Sequence, residues 1–438
     1  MSARLLFLAM ILHSCPIRAI EVGPGDDLRS AISRLTPGDE LLLLDGIYTL
    51  NSGFRVTATG TEAAPVVIRA KGPGVPVIVQ TNRAHNVMEV IDSQYLEIRD
   101  LEITGGSHGI RLMNSSHITI EGCEIHDTGD VALSANAGGT YRDLRLVRNH
   151  IHHTNGTGEG MYLGCNHDEC RVANSLIEGN YIHHTNGPDV VQGDGIELKE
   201  GSYGNVIRNN VIHDTRYPNI LTYSTAGNGP PNIIEGNVMW GSEDNAMQSA
   251  ADAIIRNNVI LGAPVVFQAH QAGRPSNIEF VHNTVVNVGN AVNVRNVTGP
   301  VLIANNALYS RRGAAIKLIS GNRNLVTLRG NVGQGGVSGG AGGYREGLGI
   351  SADFVNGHFS GKPPIDLVPA RGSSLLGAGD PEFAVAFDFD GTARRVPPDA
   401  GAYTRQTVPA RGWQIRAGFK PVSGGGGEQT KATEDDGD

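Results

Sequence analysis

Short runs in which apolar and polar residues alternate, each closed by a polar turn, recur along nearly the whole chain. "MYLGC" (161–165), "IELKE" (196–200), "ILTYS" (220–224), "AMQSA" (246–250) and "VVFQAH" (265–270) are five of them. A period of two is that of a strand with one face buried. It puts Ile196 and Leu198 inside and Glu197 and Lys199 outside. The runs also repeat in register. An anchor position, occupied by Leu101, Cys123, Asn149, Asn180, Asn210, Asn237, Asn258, Asn283, Asn306 and Asn331, returns every 21 to 31 residues. Intervals of that size, holding several short strands each, predict one turn of a parallel β-helix. A leucine-rich repeat would need a regular L-x-x-L-x-L pattern and tighter spacing, and neither is present.

Equivalent residues on successive turns then lie ~4.8 Å apart. The recurrent asparagines are expected to form an internal ladder that satisfies backbone groups at a corner. Two residues before the anchor, Glu178, Arg208, Glu235 and Arg256 alternate in sign. This predicts a column of cross-turn ion pairs and a structural role for Arg208.

The expected architecture is all-β: one parallel β-helix domain over 20–410, of about ten or more turns. Residues 21–35 read as an amphipathic helix covering the open N-terminal end, and 372–404 as the segment closing the other. Residues 411–438, Gly-rich and then acidic, read as a disordered tail. At the start, Arg4, the apolar run Leu5–Leu12 and Ala19 read as a signal peptide over 1–19, and hence secretion. A lipoprotein anchored through Cys15 is the less favoured alternative, because His13 and Pro16 fit a lipidation box poorly. No later apolar run reaches membrane-spanning length.

Composition sharpens this picture. With 59 Gly but only 10 Phe and 2 Trp, the core must be aliphatic. A formal charge of −9 argues against a nucleic-acid partner, so an anionic substrate needs a local cationic patch. In an oxidising compartment Cys165 and Cys170 can form a disulfide. The rival reading is a metal held by both with His167, an incomplete set for structural zinc. Cys123, at an anchor position, is expected to be inert.

A β-helix is filled inside, so a site must be an outer groove walled by loops. The longest turn-to-strand excursion, "HTNGPDVVQGDG" (184–195), leads directly into "IELK". Lys199 and Tyr223 fall at equivalent positions on adjacent turns, with Tyr162 before them and Gln268 and His270 beyond. Such a pair suits β-elimination on a uronic-acid polymer. Lys199 would be the base if crowding or desolvation lowers its pKa, and Tyr223 the proton donor. Asp194 and Glu197 are candidate ligands for a Ca²⁺ that grips the substrate carboxylate. Each has a plainer reading: Lys199 as a solvated side chain, Asp194 as a turn former before Gly195. The column His126, His152, His183 and His213 reads first as a tiled wall. In the sharper reading His183 and His213, flanking the long loop, bind substrate.

The stretch "DGIELKEGSYGN" (194–205), followed one turn later by "NILTY" (219–223), resembles the lysine-base polysaccharide lyases of the right-handed parallel β-helix fold. These are the family 9 pectate lyases and the family 6 alginate lyases and chondroitinases, of the pectate-lyase-like superfamily. The entry "PGDELLLLDGIYTL" and the ending "DAGAYT" are similar to secreted bacterial members. The resemblance implies a secreted enzyme, a lysine base, an acidic polysaccharide as substrate, Ca²⁺ as an optional cofactor and a monomer. Where family 6 carries an arginine on the turn after the lysine, this chain has Thr222 or Tyr223. Two other functions stay open: a non-catalytic glycan-binding or surface solenoid, and a glycoside hydrolase using Glu197 with Asp252 or Glu243.

Overall fold

A computed structural model describes residues 18–405. The chain winds as a parallel β-helix of three sheets with 13, 13 and 12 strands. In one representative turn, Val206–Arg208 belongs to the first sheet, Val211–Thr215 to the second and Ile220–Thr222 to the third. Each of these strands pairs in parallel with its equivalents one turn before and after. Ile207, Ile212 and Ile220 point inward from the three walls and are fully buried. Such aliphatic stacks fill the bore from end to end.

The corner between the first and second sheets carries the asparagine ladder. Each Nδ2 donates to the Oδ1 of the next asparagine at 2.9–3.1 Å, from Asn149 through to Asn331. Each Nδ2 also donates to a carbonyl of the preceding turn, such as Asn237 to Ile207 at 2.9 Å. The residue before each anchor is left-handed, with φ of 66° at Gly179, 56° at Asn209 and 64° at Gly236. That backbone favours glycine and asparagine, which explains the recurring G-N and N-N pairs. A second ladder at the opposite corner, with Asn205 Nδ2 donating to Asn232 Oδ1 at 3.0 Å, escaped the sequence reading. The charge column forms as expected: Arg208 Nε meets Glu178 and Arg256 Nε meets Glu235, both at 2.7 Å.

The two ends differ from expectation. Within 21–35 only Leu28–Ile32 is helical, capped by Asp27. The residues before it, Ala19–Val22, form the first strand of the first sheet and pair with Glu40–Leu43. The segment 372–404 does not close the stack. The chain from about 350 runs back along the outer face of the second sheet, burying Phe354, Leu367, Leu375, Phe389 and Tyr403. The cause lies in that face. The outward column that reads His126, His152, His183 and His213 continues as Trp240, then Leu261, Val286 and Tyr309. Its apolar half needs a cover. The signal peptide over 1–19, apart from Arg18 and Ala19, and the tail over 411–438 lie outside the described residues. Among the described residues no helix is long and apolar enough to cross a membrane.

Candidate active site

Glu197 and Lys199 leave the outer face of the third sheet at the strand Ile196–Leu198, whose apolar ends are buried inside. Leu198 pairs with Leu163 on one side and Thr222 on the other. The residues that follow, Gly164, Lys199 and Tyr223, therefore stand in file. The site exploits this. A Cβ on Gly164 would lie 3.0 Å from the Cβ of Lys199, so the glycine leaves space for the lysine. Tyr223 supplies the opposite wall.

Lys199 is 4 % exposed, not a solvated side chain. Its Nζ lies 2.5 Å from Glu197 Oε1 and 3.2 Å from Tyr223 Oη. It also sits over the Tyr162 ring, 4.4 Å from the centroid. Tyr223 Oη donates to Glu197 Oε1 at 2.9 Å and meets His270 Nε2 at 2.8 Å. Burial and the Glu197 charge push the Tyr223 phenol far above its ordinary range, so it keeps its proton. Burial pushes the Lys199 ammonium down, but Glu197, by charge and hydrogen bond, more than offsets it, and the pKa ends above the usual lysine value. The expected lowering by crowding or desolvation is therefore not met while Glu197 holds the ammonium. An alternating strand puts residues i and i+2 on one face, so the lysine arrives with its own counter-ion.

Beside this cluster lie three buried carboxylates. Glu159, Asp194 and Glu197 bring ligand oxygens within 4.8 Å of one another. Both oxygens of Glu159, both of Asp194 and Oε2 of Glu197 have no hydrogen-bond partner. Asp194 is thus not a turn former, since its side chain caps nothing. Burial and the neighbouring acids raise Asp194 well above its ordinary value and Glu159 to about 7. Adjacent like charges on one stack repel. An all-oxygen, strongly anionic and unsatisfied donor set fits a hard dication such as Ca²⁺. Glu159 was missed in the sequence. Aligning "GEGMYL" (158–163) with "GDGIEL" (193–198) places it directly over Asp194, a signal that was there to read.

The remaining expected residues divide by location. Tyr162 and His270 line the site. Gln268 stays on the same sheet but bonds Gln248 at 2.8 Å, further along the face. His183 and His213 do not belong to it. They project from the second sheet, stacked on each other at 5.0 Å, with His213 on Trp240 at 4.1 Å. Of the hydrolase candidates, Asp252 accepts from Thr225 and Asn277 and Glu243 from Asn186, while Glu197 accepts from Lys199 and Tyr223. Cys165 and Cys170 form a disulfide, which removes the metal reading with His167. The loop they close is tied across the site by His167 N to Gln271 Oε1 at 2.8 Å and Gln271 Nε2 to Asn166 Oδ1 at 2.7 Å.

Comparison with known proteins agrees with this geometry. The family model described as "Right handed beta helix region" matches residues 68–191 and 93–260. The chain has the right-handed parallel β-helix fold. A stretch of this β-helix is 28% identical over 108 residues to pectate lyase PEL9 of Emericella nidulans, covering 22% of the chain and 26% of that relative's length. Among solved structures, pectate lyase Pel9A superposes with a TM-score of 0.51 at 16% identity, over 89% of this chain and 96% of the other. At that identity the likeness is one of fold. An alginate lyase from Paenibacillus sp. str. FPU-7 superposes with a TM-score of 0.43 at 22% identity, over 75% and 98%.

The orphaned acids carry a prediction. An unfolded Glu159 ionises near its ordinary value, whereas the folded one does so only near 7. Between about pH 4.5 and 7 the unfolded state therefore binds fewer protons, and stability falls as pH rises, by up to ~3 kcal/mol from this group. Asp194 acts in the same direction. Thermal melts in chelator should lose midpoint across that window, and added Ca²⁺ should restore it at pH 8 while doing little at pH 5. A calcium effect that is equal at both pH values would contradict this assignment.

Proposed function

We propose that this β-helix is a secreted polysaccharide lyase that cleaves a uronic-acid-containing polymer by β-elimination at Lys199. The observation that carries the reading is the buried Lys199–Glu197–Tyr223 cluster beside the buried, unsatisfied carboxylates of Glu159 and Asp194. The likeness to pectate lyases supports it.

In the reaction the neutral Lys199 amine takes the proton α to the sugar carboxylate. The electron pair forms the ring double bond, the C4–O4 bond breaks, and the departing oxygen takes up a proton. Tyr223, whose phenol stays protonated, is the donor, and His270 at 2.8 Å is placed to resupply it. A dication, which Glu159, Asp194 and Glu197 would hold, would supply positive charge to offset the substrate carboxylate. On Lys199 burial favours the neutral amine and Glu197 opposes it. The Tyr162 ring and the disulfide loop restrict access of water to the lysine.

The reading is tested by offering purified protein alginate, pectate and glycosaminoglycans, with and without Ca²⁺. Ultraviolet absorbance of the unsaturated product reports cleavage. The reading expects at least one polymer to yield unsaturated ends; if all stay intact in calcium, the non-catalytic glycan-binding reading takes its place.

A further inference from the structure

The second sheet carries a separate cluster, on the outer face left bare by the C-terminal segment. Glu124 pairs in register with His150, and His126 with His152. His150 and His152 thus leave the same face of one strand, directly beside Glu124 of the turn before. Glu124 Oε1 lies 3.1 Å from His152 Nε2 and 3.5 Å from His150 Nδ1. Two ligands bound at 2.0–2.1 Å to a tetrahedral ion are about 3.3 Å apart. The two glutamate–histidine separations are already near that length, and all three donor atoms lie within 4.8 Å of one another. We propose that Glu124, His150 and His152 bind a transition-metal dication of the zinc type on the second sheet, distinct from the all-oxygen site on the third.

The surroundings match what such a site requires. A ligating imidazole must be neutral and usually donates its other N–H to a neighbour. His150 Nε2 meets His183 Nε2 at 2.8 Å, and His183 Nδ1 meets His184 Nδ1 at 2.6 Å. His152 Nδ1 meets His153 Nδ1 at 2.7 Å. One proton per ring satisfies this whole set and leaves His150 Nδ1 and His152 Nε2 as bare lone pairs facing Glu124. Burial and the neighbouring imidazoles favour neutral His152 and His183. Glu124 and His150 are 41 % and 34 % exposed, so the fourth position opens to solvent. Two nitrogens and one oxygen select a borderline ion, whereas the three carboxylates near Lys199 select a hard one. One turn earlier only His126 faces Glu102, at 3.2 Å, so three donors meet at a single place in the column. Because the ligands come from two turns, the ion would clamp them together.

The test uses untagged full-length protein stripped with chelator and held in Ca²⁺ to occupy the oxygen site. Titration with Zn²⁺ followed by dialysis should leave one Zn²⁺ per chain and raise the unfolding midpoint. Co²⁺ in its place should show the intense visible absorption of a tetrahedral ion. E124Q and H152Q should each weaken Zn²⁺ binding by more than about tenfold, whereas H213Q, in the same column but outside the ligand set, should retain it. Glu124 is the more exposed, so E124Q keeps the test valid if H152Q does not fold. No retained Zn²⁺, or retention equal in E124Q and the native chain, overturns the proposal, as does an octahedral cobalt spectrum.

Discussion

Replacing Lys199 by alanine should reduce the release of unsaturated ends by about 10³-fold, the scale of removing a positioned general base. Alanine alone is an imperfect probe, because it leaves the buried Glu197 carboxylate without its closest partner and so lowers stability as well. Lys199→Arg separates the two effects. Arginine keeps the positive charge beside Glu197 but cannot give up its proton near neutral pH. Both variants should therefore be inactive, while the arginine variant should melt closer to the native protein. Initial rates by ultraviolet absorbance, with thermal melts alongside, give the comparison. An arginine variant that retains a tenth or more of the native rate would show that Lys199 is there for charge and that the base lies elsewhere.

The largest effect on stability is expected at the middle of the asparagine ladder. Asn237 is fully buried. Its Oδ1 accepts from Asn210 N at 3.0 Å and Asn210 Nδ2 at 2.9 Å, and its Nδ2 donates to Ile207 O and to Asn258 Oδ1. Alanine there strands the Asn210 amide, one Asn210 side-chain proton and the Ile207 carbonyl, with no route for water. Each unsatisfied buried group costs about 1–3 kcal/mol, so a total of roughly 3–9 kcal/mol is expected. By contrast, Arg256→Ala, which breaks the partly exposed pair with Glu235, should cost only ~0.2–1 kcal/mol. Denaturant unfolding of the two variants beside the native protein measures the difference. If Asn237→Ala lost no more than Arg256→Ala, the ladder would be a consequence of the winding and not one of its supports.

How much of the site could be read in advance depended on sequence distance and on the kind of signal. Lys199 and Tyr223 were brought together because both sit one residue past equivalent strands, and register alone fixes that. Glu159 was equally available from register but lies just before the strand Met161–Leu163, where alternation assigns no direction. His183 and His213 stand in the stacked wall of the first reading; the sharper reading put them at the groove because alternation reports which side of a strand a residue takes, not which sheet the strand joins.

The chain's own sequence determined the winding. A strand period of two, an anchor asparagine and a left-handed residue before it recur so often that each turn specifies its neighbours' register by local chemistry. Tertiary structure alone decided the electrostatics and the covering of the second sheet. Whether Lys199 is charged depends on Glu197 and on how deeply Tyr162 and Tyr223 bury it, and these are sums over groups 24 to 37 residues away as well as next door. Where the C-terminal segment lies depends on the apolar column from Trp240 to Tyr309, which becomes one continuous surface only after four turns have been stacked.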